Sequence, residues 1–111
     1  MIEIKKADIS FKKEHNIENE AYVCSDKGEV LGIVEYKADG KDLIITDIRC
    51  EENMLADGLV RQTMSNALDN GCELCKFKDD VQKRLYDIRI IKKIDQNCID
   101  ILDFFMKINH I

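Results

Sequence analysis

The chain contains no proline and only two histidines, His15 and His110. Without proline there is no polyproline linker, and no repeat or low-complexity tract breaks the sequence. No apolar run approaches the ~18 residues of a membrane span. Basic residues are the minority, 17 against 22 acidic, for a net charge of −5. That balance argues against nucleic acid and against an anionic membrane as partners. The start, "MIEIKKADIS", lacks an apolar core, so no secretory signal is read there and a cytoplasmic location is expected. What remains is 45% apolar and 35% charged over 111 residues. This fits a single globular domain, residues 1–111, able to bury a core without staples.

The five cysteines are Cys24, Cys50, Cys72, Cys75 and Cys98. An odd count in this context predicts reduced thiols rather than a disulfide framework. Cys72 and Cys75 form a C-x-x-C, "CELC". Zinc would need two further ligands, and the two histidines lie near the chain ends, so no metal site is expected. A redox pair would sit between a strand and the helix that follows it. This pair instead leaves a helix and enters an apparent strand.

Residues 2–9 alternate weakly and read as a strand, and residues 11–19 as a connection or short helical turn. Three strands follow as a meander: "EAYVC", the turn "SDKG", "EVLGIVEYK", the turn "ADGK", then "DLIITDIRC". Asp39-Gly40 is a strong hairpin signal. Val30, Gly32, Val34 and Tyr36 are expected on one face of the middle strand, with Leu31 and Ile33 on the other. Apolar residues on both faces predict a sheet covered on two sides.

Residues 53–70 carry Leu55, Leu59, Val60, Thr63, Met64, Ala67 and Leu68 at helical spacing. Asn53 is read as N-cap and Gly71 as the C′ residue. Asp57 and Arg61 are placed to pair. Gly58 is expected to let the helix approach the sheet closely. "CELCKF" reads as a short strand and "DDVQKRLYDI" as a helix. "RIIKKI" and "NCIDI" are expected to form a last strand pair around Asp95-Gln96, and "DFFMKI" a terminal turn or short helix. The fold class is therefore α+β: an antiparallel meander followed by a strand–helix–strand crossover in a mixed sheet.

This order resembles the acyl-CoA N-acyltransferase (GNAT) family over residues 21–94. "ADGLVRQTMSNALDNG" is similar to the family's helix GxxLLxxAxxxAxxxG. "RLYDIRIIKK" is similar to its xxYxxxGFxx ending, with Ile90 and Ile91 where Gly-Phe is usual. "LCKF" is similar to the CPF strand of very short members. The resemblance implies N-acetyl transfer from acetyl-CoA to an amine of a small molecule or protein. It places acetyl-CoA along Ile48, Arg49 and Cys50 and over Met54, Leu55, Ala56, Asp57 and Gly58. It also implies that Tyr86 protonates the leaving thiolate, and it marks Cys75 as a nucleophile or thioester neighbour.

The residues themselves allow blander roles. Tyr86 can be a packed amphipathic ring, and Cys75 a small buried hydrophobe whose neighbour Lys76 points to the opposite face. Glu35 and Asp47 lie on central strands, where the family often places a general base. The phosphate-binding signature R/Q-x-x-G-x-G/A falls on Glu51-Glu52-Asn53-Met54-Leu55-Ala56. Ala56 keeps the last small position, Met54 replaces a glycine, and Glu51 replaces a basic or amide residue. Two glutamates beside a diphosphate cost about a few kcal/mol per close contact, against ~1 kcal/mol from the helix dipole. The turn is expected to be an eroded acyl-CoA loop that binds acetyl-CoA weakly. The other function class left open is a non-catalytic domain of this fold, acting by protein contact, with a homodimer among the expected forms.

Overall fold

Alternating residues and two tight turns build the centre of the sheet. The computed structural model describes residues 1–81 and 98–109. Its strands are β1 (Ile2–Lys6), β2 (Glu20–Asp26), β3 (Glu29–Asp39), β4 (Asp42–Arg49), β5 (Leu74–Phe77) and β6 (Cys98–Asp100). Its helices are α1 (Ile9–Glu14), α2 (Asn53–Asp69) and α3 (Ile101–Asn109). The six strands form one sheet in sequence order. Neighbours are antiparallel except β4 and β5, which run parallel because α2 carries the chain across between them. The α+β mixed sheet anticipated from the pattern is the one found.

Lys27 and Gly28 have φ of 51° and 85°, which matches the twist of the β2–β3 hairpin. At the other end of the crossover, Gly71 has φ 96°. The Cys72 N–H donates to Ala67 O at 2.9 Å and the Gly71 N–H to Leu68 O at 3.1 Å, the paired bonds of a Schellman stop.

α2 lays Ala56, Leu59, Val60, Thr63, Met64 and Ala67 onto one face of the sheet. There they meet Val34, Tyr36, Leu43, Ile45, Cys75 and Phe77 in the main core. The opposite face carries a smaller cluster of Ile17, Ala21, Val23 and Ile33, with Phe11 of α1 packed on it. Both faces are thus covered at the sheet centre.

Three expectations change. The N-cap of α2 is Glu52 rather than Asn53, with no side-chain capping bond. The helical ladder begins one residue early, with Ala56 N–H donating to Glu52 O at 3.0 Å. Leu31 packs toward the main core rather than beside Ile33. The register there runs Cys24↔Gly32 and then Ser25↔Val30, so Leu31 is an extra residue and the alternation slips. Gly58 is exposed, and a side chain there would meet nothing within 4 Å, so no close approach to the sheet depends on it, whereas Ala56 is fully buried on the face that packs.

The last strand, β6, pairs with β5; the "RIIKKI" half of the expected pair lies outside the described residues. So do Tyr86, Ile90 and Ile91 and most of the "DDVQKRLYDI" helix, of which residues 79–81 are helical. No described helix is long and apolar enough to cross a membrane.

Candidate active site

The parallel pair β4–β5 has its last rung at Ile45↔Phe77, while β4 continues to Arg49. Beyond that rung, β4 keeps β3 as neighbour but is bulged. Tyr36 pairs with Ile45 and Glu35 with Asp47, leaving Thr46 as the extra residue. The bulge resets the alternation. Ile45 and Ile48 both pack on the α2 side, whereas Ile44, Thr46 and Asp47 all line a cavity that Glu18 and Asn19, ahead of β2, also border.

The continuation of β4 and the first turn of α2 enclose another cavity of about 890 Å³. Val30, Leu31, Ile48 and Leu55 give it apolar walls, and Arg49, Cys50, Glu51 and Glu52 form its polar part. Amides at a helix start have no acceptor within the helix itself. Arg49 is already engaged: Nε donates to Asp47 Oδ2 at 2.8 Å and a terminal nitrogen to His15 O at 2.7 Å. Cys50 is buried, and its Sγ donates to Glu52 O at 3.5 Å.

The residues marked by the resemblance therefore divide. Ile48, Arg49, Cys50 and Leu55 line the cavity. Met54 stands 81% exposed. Ala56 is in the core and its N–H is used within the helix. Asp57 pairs with Arg61 at 2.9 Å, and Gly58 faces solvent. Val30 and Leu31 join the wall without any signal in the sequence; only the β3 bulge brings both there, and it leaves no mark in the alternation. Tyr86 lies outside the described residues. Cys75 is fully buried among core side chains; burial, then neighbouring Cys98 and Cys72, push its thiol far above the ordinary value. Such a site holds the neutral thiol rather than the thiolate that nucleophilic attack needs. Lys76 points away from it to the exposed side, bound to Asp42 at 2.8 Å.

No protein-family model and no curated protein match the chain. Solved structures do. A GNAT acetyltransferase from Brucella melitensis, in complex with acetyl-CoA, superposes with a TM-score of 0.64 at 12% identity, covering 90% of this chain and 88% of that one. The chain has the GNAT fold. The ribosomal-protein-S18-alanine N-acetyltransferase of Escherichia coli gives 0.61 at 9% identity, over 78% of this chain and 75% of that one. An aminoglycoside acetyltransferase from an uncultured soil metagenomic sample, in complex with trehalose, gives 0.61 at 12% identity, over 86% and 91%. At so few identities the shared topology carries the likeness, and the fold alone does not specify the chemistry of the site.

Proposed function

We propose that this chain is a small acyl-CoA-dependent N-acyltransferase whose coenzyme cleft has weakened. The observation that carries the reading is the cavity between the continuation of β4 and the first turn of α2. Its apolar walls, Val30, Leu31, Ile48 and Leu55, suit an acyl-pantetheine chain. The amides of the first turn suit a phosphate, but Glu51 and Glu52 on the same rim oppose one. The fit is thus good for the thioester arm and poor for the diphosphate.

Acetyl-CoA would supply an activated acyl group. The amine's lone pair would form the new N–C bond as the C–S bond breaks. Tyr86 is the proton donor to the departing sulfur that the family resemblance implies. Net acidity and free thiols accord with a cytoplasmic setting. A continuous assay for free thiol released from acetyl-CoA, with a panel of primary amines, tests this. Amine-dependent release supports transfer, and its absence across the panel counts against it.

One observation favours the second reading, a non-catalytic domain acting by protein contact. Glu51, Glu52 and the 81% exposed Met54 together make an acidic rim with an apolar tip where a diphosphate would have to dock. A chain of that kind would neither bind acetyl-CoA nor release thiol.

A further inference from the structure

Among the described residues, β1 pairs with β2 alone and forms an open edge of the sheet. The Ala7 N–H donates to Ala21 O at 2.9 Å, and the register continues with Lys5 opposite Val23 and Glu3 opposite Ser25. Hydrogen-bonded pairs alternate along an antiparallel ladder. Ala7, Lys5 and Glu3 therefore turn their amides and carbonyls toward β2. Those of Ile2, Ile4 and Lys6 turn outward, to the open edge. α2 lies over β2, β3 and β4. All five residues of β1 are exposed, Ile2 at 51% and Ile4 at 37%.

A lone edge is usually guarded by proline, a bulge or an unmatched lysine. β1 has no proline, and its register with β2 runs without a bulge. Lys5 pairs with Glu3 at 3.1 Å and Lys6 with Glu20 at 3.3 Å, so both ammonium charges are matched within the chain. The charge pattern also selects a register for a second copy of β1. Antiparallel pairing through the outward groups joins Ile2, Ile4 and Lys6 of one copy to the same set in the other. Centring that pairing on Glu3 sets Glu3 against Glu3, and centring it on Lys5 sets Lys5 against Lys5. Centring it on Ile4 sets Glu3 against Lys5 twice over, at the positions without hydrogen bonds, where side chains lie closest. That register also sets Ile4 against Ile4 and Ile2 against the aliphatic stem of Lys6. It makes about six main-chain hydrogen bonds.

We infer that β1 is a dimer seam, to which a second copy of this chain adds its own β1 antiparallel about a two-fold axis at Ile4. Two six-stranded sheets then join into one. The axis stands normal to the sheet, so the α2 faces of both copies lie on the same side. On that face Ile2 and Ile4, which share it with Cys24 of the main core, meet their counterparts in one apolar patch across the seam. The Glu3–Lys5 pairs lie on the opposite face, with Val23. The contact is self-complementary and closed, as a two-fold interface requires. A single five-residue strand makes a small interface, so the dimer is a weak one. The inference does not depend on the chemistry of the cleft.

The test is sedimentation equilibrium of the full chain at concentrations up to about 1 mM, where even a contact of millimolar Kd is visible. A monomer–dimer equilibrium is expected. Glu3→Lys and Lys5→Glu should each weaken it about tenfold or more, since each sets like charges opposite one another at both symmetry-related positions. An equimolar mixture of these two variants should associate again, because each chain then meets its opposite. Ile4→Pro should give a monomer with an unchanged circular dichroism spectrum, because the amide hydrogen it removes points away from β2. If that variant does not fold, the two charge variants, at exposed positions, carry the test. A wild type that stays monomeric overturns the inference, even if the edge captures a strand of another protein. So does a dimer that ignores all three substitutions, or a mixture of the charge variants that fails to associate.

Discussion

A Cβ placed on Gly32 would lie 2.8 Å from Cys50 Sγ and 2.9 Å from Cys50 Cβ. The middle of β3 is thus overlain by the residue where β4 hands over to α2, and that residue, Cys50, also lines the 890 Å³ cavity. Gly32 is there for close approach, since its φ is not positive. Gly32→Ala should destabilise the fold by about 1–3 kcal/mol through overpacking. Adding Cys50→Gly should recover part of the loss. Urea denaturation of the two single variants and the double variant checks this, and additive losses would contradict direct contact.

Gly58→Ala should act in the opposite direction. The position is exposed inside α2 and a side chain there meets nothing within 4 Å. The expected gain is about 0.5–1 kcal/mol, because alanine loses less backbone entropy on entering a helix. A lower urea midpoint would show that the close packing anticipated from the sequence exists after all. Leu59→Ala, at a fully buried site on the neighbouring face, should cost about 2–5 kcal/mol.

Alkaline pH should weaken the fold. Burial raises the Cys24, Cys72 and Cys75 thiols from an ordinary 9.0, and raises the Tyr36 phenol from 10.0, with stacked Tyr22 adding to the last. The folded chain holds these protons while the unfolded chain loses them. The stability they contribute is therefore complete below about pH 8.5 and falls as pH rises, by at most ~1.4 kcal/mol per pH unit for each group. Cys75→Ala should flatten that slope in denaturation measured from pH 8 to 10. An unchanged slope would mean that Cys75 ionises normally. In thiol labelling of the native chain, partly buried Cys98 should react ahead of Cys75.

The strand order and the crossover are legible in the sequence because alternation, Asp39-Gly40 and Gly71 each leave a local mark. The two bulges are not. Leu31 and Thr46 each add a residue without altering composition, and each turns its neighbours to a different face. The cavity wall is half legible. Ile48, Arg49, Cys50 and Leu55 follow from the resemblance, while Val30 and Leu31 arrive only through the β3 bulge. The cavity beside Thr46 and Asp47 cannot be read at all. Glu18 and Asp80 are far apart in sequence and are brought to Glu35 by the sheet topology. Asn53 reads as the cap because it is the favoured residue type, whereas the backbone turns helical one residue sooner.

The measurement closest to the central claim is calorimetric titration with acetyl-CoA of the wild-type chain and of a Glu51→Arg, Glu52→Gln variant. Both side chains line the cavity beside the first turn of α2. The wild type should bind weakly. The variant replaces repulsion by attraction at the diphosphate and should bind tighter by about 1–3 kcal/mol, tenfold or more. The gain should shrink as salt is raised, because it is Coulombic. Tight binding by the wild type would contradict the eroded loop, and no binding by either protein would contradict a coenzyme cleft at this end of β4.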